Sequence, residues 1–178
     1  MRRTAVFLDR DGVINRAIVR DGRPFAPKDL SELEILPQVP EAIGTLKSEG
    51  FDIIVVTNQP DVSRGTATRE AVDAINSHLR DELRLDEVIT CYHQDADNCE
   101  CRKPKPGMLR IAEKTRNIEL TRSFLVGDRW RDIEAGVAAG CRTIFLDYGY
   151  AERRPAQADY VCETLYQAAN WIRVNMVR

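Results

Sequence analysis

Glycine and proline are scarce in this sequence, at 10 and 8 of 178 residues, while 43% of residues are hydrophobic. That balance excludes the low-complexity compositions that leave a chain disordered. An excess of either charge is also missing: 26 Lys and Arg face 28 Asp and Glu, for a formal net charge of −2. General nucleic-acid or membrane-surface binders usually carry a strong basic excess, so neither partner is expected. No uninterrupted apolar run approaches the ~18 residues that a spanning helix needs. The chain opens with Arg2 and Arg3, but the apolar stretch Ala5-Val6-Phe7-Leu8 stops at Asp9, too soon for the core of a secretion signal. A cytoplasmic protein is expected. Internal repeats and long linkers are absent too. A single unit over 1–178 is therefore expected, burying roughly 70% of its unfolded surface in one core.

The five cysteines are not spread like a disulfide framework. Cys91, Cys99 and Cys101 crowd together with His93, whereas Cys141 and Cys162 stand alone and read as small buried hydrophobes. In a reducing compartment such clustering points to a metal. Three thiolates and one imidazole in the pattern Cys91-x-His93-x₅-Cys99-x-Cys101 suit tetrahedral Zn²⁺ with no coordination position left for water. A structural zinc loop over 91–101 is expected, and it would place Arg102 and Lys103 immediately after it.

Short apolar runs alternate with helical patterns along the chain. Thr4–Leu8, Phe51–Val56, Val88–Thr90, Phe124–Val126 and Thr143–Leu146 read as strands. Between them, Val39, Ala42, Ile43 and Leu46 have helical spacing, with Pro40 in the first turn and Gly50 as the stop. Val72, Ile75, Leu79 and Leu83 mark a second helix with Thr68 as its N-cap. Further helices follow from Met108, Ile111 and Ala112, from Ile133, Val137 and Ala138 before Gly140, and from Leu165, Ala168, Ala169 and Ile172. Asn15–Leu33 reads as an irregular charged loop. Continuous apolar strands between helices predict an α/β fold, a doubly wound, Rossmann-like parallel sheet covered on both faces.

Polar residues collect where those strands end. Asp9 and Asp11 follow the first strand, Thr57 and Asn58 the second, Asp128 a later one, and Arg102-Lys103 the loop between. In open parallel sheets the ligand crevice lies beyond the carboxyl ends of the strands, so these loops should converge. Their inventory suits phosphoryl transfer. A carboxylate attacks phosphorus, Mg²⁺ and a cation offset the converging negative charge, and a second carboxylate handles the proton.

Asp9-Arg10-Asp11-Gly12-Val13-Ile14 resembles the first motif of the haloacid dehalogenase (HAD) superfamily of phosphatases. Val56-Thr57-Asn58-Gln59 resembles its second motif, Arg102-Lys103-Pro104 its third, and Val126-Gly127-Asp128 with Asp132 its fourth. The resemblance implies Asp9 as nucleophile and Asp11 as general acid and base, with Thr57, Asn58 and Lys103 on the phosphoryl group. It implies Mg²⁺ on the Asp9 carboxylate, the Asp11 backbone carbonyl and Asp128, with Asp132 behind them. Gln59, Arg64, Arg102 and Arg129 fall at positions expected to border substrate. Only 45 residues lie between Asp11 and Thr57 and 44 between Asn58 and Lys103, which leaves no room for an inserted cap domain.

Within the superfamily, the zinc loop and the following Arg102-Lys103-Pro104-Lys105-Pro106-Gly107-Met108-Leu109 stretch are similar to two families. These are the D-glycero-D-manno-heptose 1,7-bisphosphate phosphatases and the histidinol-phosphate phosphatases. The chain departs from their commoner patterns at Pro60-Asp61, where small residues are usual, and at Arg129-Trp130, which replaces a Lys-containing pair. The expected substrate is a small phosphorylated metabolite, a sugar bisphosphate first, acted on by a monomer or weak dimer. An open site would let Arg16, Arg20, Arg23 or Lys28 meet a second charged end. Trp130 reads as packing, with stacking on a sugar ring as the alternative. Trp171 reads as core and His78 as surface. A phospho-accepting signalling domain is the alternative of another class, disfavoured by the Asp9/Asp11 pair and the zinc loop.

Overall fold

The computed structural model describes residues 2–176; Met1, Val177 and Arg178, the ends of the expected 1–178 unit, lie outside them. In chain order the elements are β1 (Ala5–Leu8), β2 (Ile18–Arg20), β3 (Arg23–Phe25), α1 (Val39–Ser48), β4 (Asp52–Asn58), α2 (Pro60–Ser63) and α3 (Arg69–Glu82). They continue with β5 (Glu87–Cys91), α4 (Gly107–Arg116), β6 (Phe124–Gly127), α5 (Trp130–Ala139), β7 (Arg142–Leu146), β8 (Tyr160–Cys162) and α6 (Leu165–Asn175).

Six strands form one parallel sheet in the order β5-β4-β1-β6-β7-β8. Every residue of β1 and β6 is buried, the signature of strands covered on both faces. Alternation with period two divides the core. Val6 and Leu8 of β1 pack with α1, α3 and α6 on one face, whereas Ala5 and Phe7 pack with α4 and α5 on the other. The chain leaves β1 for β4 on one side and later returns to β6 on its other side. That reversal beside β1 opens a crevice at the strand ends. The α/β, doubly wound reading holds.

Local signals behave as the residues predict at several boundaries. Thr68 caps α3, its Oγ1 accepting from the Ala71 amide at 3.2 Å, and α5 stops at Gly140. Elsewhere the structure differs. In the Asn15–Leu33 stretch, β2 and β3 pair antiparallel in a separate two-stranded ribbon. Its turn is Asp21-Gly22, both with positive φ (50° and 71°), as a tight two-residue hairpin requires. On α5, Ile133 is buried, but Val137 is 57% exposed and the helix instead packs through Ala135, Gly136 and Ala139. Strand β8 adds an edge that its short, acid-flanked sequence does not announce. Among the described residues no helix is long and apolar enough to cross a membrane.

Candidate active site

Asp9 leaves the end of β1 and meets Lys103, whose Nζ donates to Asp9 Oδ1 at 2.8 Å and to the Val56 carbonyl at 2.7 Å. The same Nζ lies 2.6 Å from Asp132 Oδ1. Lys103 is only 2% exposed, so this three-way hold replaces its hydration. Burial alone would lower its ammonium, but the charges of Asp132 and Asp9 outweigh that and hold it above its usual value. Burial and the charge of Asp132 push the Asp9 carboxyl up to about 6, against the pull of Lys103. Asp128 is pushed well above the usual carboxylate range, first by burial and then by Asp9 and Asp132.

The ammonium thus pairs with Asp9 and Asp132, and the carboxylates of Asp9, Asp128 and Asp132 offer oxygens within 4.8 Å of one another. Both Asp128 oxygens are buried and find no hydrogen-bond partner among the described residues. The Tyr150 hydroxyl lies near enough to pull the Asp128 carboxyl down a little, but it makes no hydrogen bond of normal geometry to it. Gly12 makes room for this carboxylate: it sits at φ +89°, and a Cβ there would overlap Asp128. Hard, crowded, under-neutralised oxygens fit a hard dication such as Mg²⁺.

The β4 end contributes differently from residue to residue. Thr57 is buried, and its Oγ1 accepts from Gln59 Nε2 at 2.9 Å. Asn58 spends its carboxamide on the backbone of Lys103: Nδ2 donates to the carbonyl and Oδ1 accepts from the amide, both at 3.1 Å. Gln59 also donates to Asp11 Oδ2 at 2.7 Å. Asp11 in turn receives the Arg10 fork, with Nε to Oδ1 and Nη2 to Oδ2 both at 3.1 Å.

Cys91, His93, Cys99 and Cys101 converge after β5. Their sulfur and Nδ1 atoms lie 3.1–3.7 Å apart, close to the roughly 3.5–3.8 Å edges of a tetrahedron around Zn²⁺. Asp95 in this loop accepts from Arg102 Nε at 2.9 Å and from Arg131 at 3.0 and 3.2 Å. Arg102 also donates to the His93 carbonyl at 3.1 Å. The expected substrate contact Arg102 is therefore lashed to the Cys/His loop. Arg129 begins α5, where its amide donates to Asp132 Oδ2 at 3.0 Å and its side chain to Glu152 Oε2 at 2.9 Å.

Beside the carboxylates lies a cavity of about 540 Å³ in which Arg23, Arg64, Arg102, Arg129, Arg131 and Arg153 outnumber Asp61, Asp95 and Glu152. Asn58 and Gln59 reach its wall. Of the four cations expected in the charged stretch, Arg23 lines it; Arg16 is paired with Glu34, Arg20 lies over Phe25, and Lys28 is exposed outside the cavity lining. The Trp130 ring is covered by Arg131 and Arg153, at 4.6 and 3.9 Å from its centroid. Trp171 packs against Tyr160 and Phe124 at the edge of the core.

Residues 100–168 match the HAD-hydrolase-like family. A D-glycero-beta-D-manno-heptose-1,7-bisphosphate 7-phosphatase of Pseudomonas aeruginosa is 35% identical over 159 residues, covering 86% of each chain. The enzyme of that name from Rhodopseudomonas palustris is 39% identical over 151 residues, covering 78% of this chain and 81% of its own. The chain belongs to the heptose-1,7-bisphosphate phosphatase family of the HAD superfamily. A crystal structure of D,D-heptose 1,7-bisphosphate phosphatase from B. bronchiseptica, complexed with magnesium and phosphate, superposes with a TM-score of 0.79. It shares 28% identity, with 96% of this chain and 98% of that chain covered. The enzyme of that name from Burkholderia thailandensis gives 0.66 at 25% identity, covering 96% and 99%.

As a heptose-bisphosphatase-family chain it is a phosphatase, and the signalling alternative falls away. The residues expected at the strand ends do meet in one crevice. Sequence reasoning missed Arg10, Asn76, Asp95 and Arg131. For Asn76 a signal existed: it falls on the apolar stripe of α3 between Val72 and Leu79, where an unpaired amide would be costly. Arg10 carried none, because a charged residue in a turn ordinarily reads as solvated.

Proposed function

We propose that this chain removes the 7-phosphate of D-glycero-D-manno-heptose 1,7-bisphosphate through a phosphoryl group carried transiently on Asp9. The observation that carries the reading is the buried Asp9 carboxylate held by Lys103 beside the unpartnered Asp128. Asp9 attacks phosphorus, and the bond from phosphorus to the sugar oxygen breaks as the acyl phosphate forms. Asp11 gives its proton to the departing sugar oxygen. It then takes one from the water that cleaves the acyl phosphate, releasing inorganic phosphate and restoring Asp9.

Lys103 and the Thr57 hydroxyl hold the phosphoryl oxygens, and Asn58 holds the Lys103 backbone. Asp132 orients the Lys103 ammonium. Gln59, Arg64, Arg102 and Arg129 border the substrate, and the arginine excess of the cavity suits a second phosphate. Mg²⁺ would be held by the Asp9 carboxylate, the Asp11 carbonyl and Asp128, and when bound it offsets the charge of the phosphate facing its nucleophile. Zn²⁺ would be held by Cys91, His93, Cys99 and Cys101 and would keep the 91–101 loop folded. The chain acts as one capless domain, a monomer or weak dimer, and its reduced cysteines suit the cytoplasm.

The test is phosphate release with Mg²⁺, comparing heptose 1,7-bisphosphate with histidinol phosphate. Preference for the bisphosphate, abolished in Asp9→Asn, is expected. Preference for histidinol phosphate would overturn the substrate, and turnover by the Asn variant would overturn the nucleophile.

A further inference from the structure

Arg10 is a charged side chain with 0% exposure. A buried guanidinium needs hydrogen-bond partners in place of water, and here each of its three nitrogens donates to a side chain. Nε and Nη2 grip Asp11 as a fork, both at 3.1 Å. Nη1 donates to Asn76 Oδ1 at 2.9 Å, across 66 positions of sequence. Asn76 lies on α3 and is 8% exposed; its Nδ2 donates to Thr90 Oγ1 on β5 at 3.0 Å. Because a guanidinium can only donate, the Asn76 oxygen must face Arg10, which leaves Nδ2 to donate to the Thr90 hydroxyl.

The same fork fixes the plane of the Asp11 carboxylate, whose side chain keeps 15% exposure. Asn15 Nδ2, at 3.0 Å from Oδ1, and Gln59 Nε2, at 2.7 Å from Oδ2, are single-point contacts, and one of them must yield the lone pair it holds when Asp11 carries a proton. Among the described residues, Arg10 is the partner that grips both oxygens from one planar group, and that grip sets the angle of the carboxylate. Arg10 is a long, flexible side chain, and the Asn76–Thr90 pair is what pins its far end.

We infer that Arg10, Asn76 and Thr90 form a buried tether that aims the Asp11 carboxylate for proton transfer, making Asn76 a positioning residue that never touches substrate. The inference rests on the reading of Asp11 as general acid and base. Proton delivery is exacting: a misplacement near 1 Å costs about 100-fold, and an aligned general acid contributes about 10²–10⁴-fold.

The experiment compares kcat/KM on two substrates, heptose 1,7-bisphosphate and 2,4-dinitrophenyl phosphate, whose phenolate departs without a proton. Since kcat/KM covers the steps up to breaking of the ester bond, only the sugar substrate needs Asp11 there. Asn76→Leu should lose about 10- to 100-fold on the sugar substrate and change about twofold on the aryl one. Arg10→Lys keeps the charge but loses the fork, and should show the same split if Asn76→Leu does not fold. Equal losses on both substrates, or none on the sugar phosphate, overturn the tether. Asp11→Asn is the reference: if its losses are equal on both substrates, the reading of Asp11 itself fails and takes the tether with it.

Discussion

Replacing Gly12 by alanine would put a Cβ into the space of the Asp128 carboxylate, on a backbone at φ +89°. The displaced side chain is the one whose oxygens lack partners. Gly12→Ala should therefore lower Mg²⁺ affinity by about 10- to 100-fold in titration calorimetry while the far-ultraviolet circular dichroism stays unchanged. Retained affinity would remove Asp128 from the metal site. Lys103 carries the opposite charge in the same cluster. Lys103→Met leaves Asp9 and Asp132 facing each other in a buried site, so activity should vanish. Stability in urea at neutral pH should drop by about 3 kcal/mol, less when Asp132→Asn is added. Asp9, Lys103 and Asp128 were legible because their types and order serve one reaction. The bonds from Asn58 to the backbone of Lys103 were not, because only the fold brings the two together.

The 91–101 loop has almost no apolar residues besides its cysteines, yet Asp95 within it fixes both Arg102 and Arg131. Cys99→Ser with Cys101→Ser should reduce bound zinc from about one ion per chain to none and lower the melting temperature. KM should rise more than kcat falls, because Arg102 loses its anchor while Asp9 and Lys103 stay in place. An unchanged KM in the zinc-free variant would separate the loop from substrate binding. Strands buried on both faces were plain in the sequence, since continuous apolar runs bounded by Asp, Asn or Gly have few other uses. The β2–β3 ribbon was hidden by its charged, half-exposed residues, although Asp21-Gly22 is a strong hairpin turn. The exposed Val137 shows the limit of reading a ten-residue helix from three apolar positions; close packing of α5 on the sheet selected the small residues Ala135 and Gly136 instead.

Electrostatics across the crevice sets how the protein as a whole responds to pH. The folded-state pKa of Asp9 is raised from 3.8 to about 6. Over that window the folded chain holds a proton that the unfolded chain has released, so this contribution to stability falls as pH rises through about 6. Urea unfolding of metal-free protein should show that decline, and excess Mg²⁺ should flatten it by binding the ionised form. A decline unaffected by Mg²⁺ would separate Asp9 from the metal. The arginine-lined cavity sits in a chain of net charge −2, so a doubly anionic ligand should be drawn to one face only, with association slowing as salt is added. The ribbon that carries Arg23 to that cavity shares no ladder with the six-stranded sheet. Apart from the Gly22 carbonyl, which accepts from the Ala151 amide at 2.8 Å, its length and charge can drift over generations without breaking a hydrogen bond of the six-stranded ladder, which makes it the natural place for descendants of this chain to change what they bind.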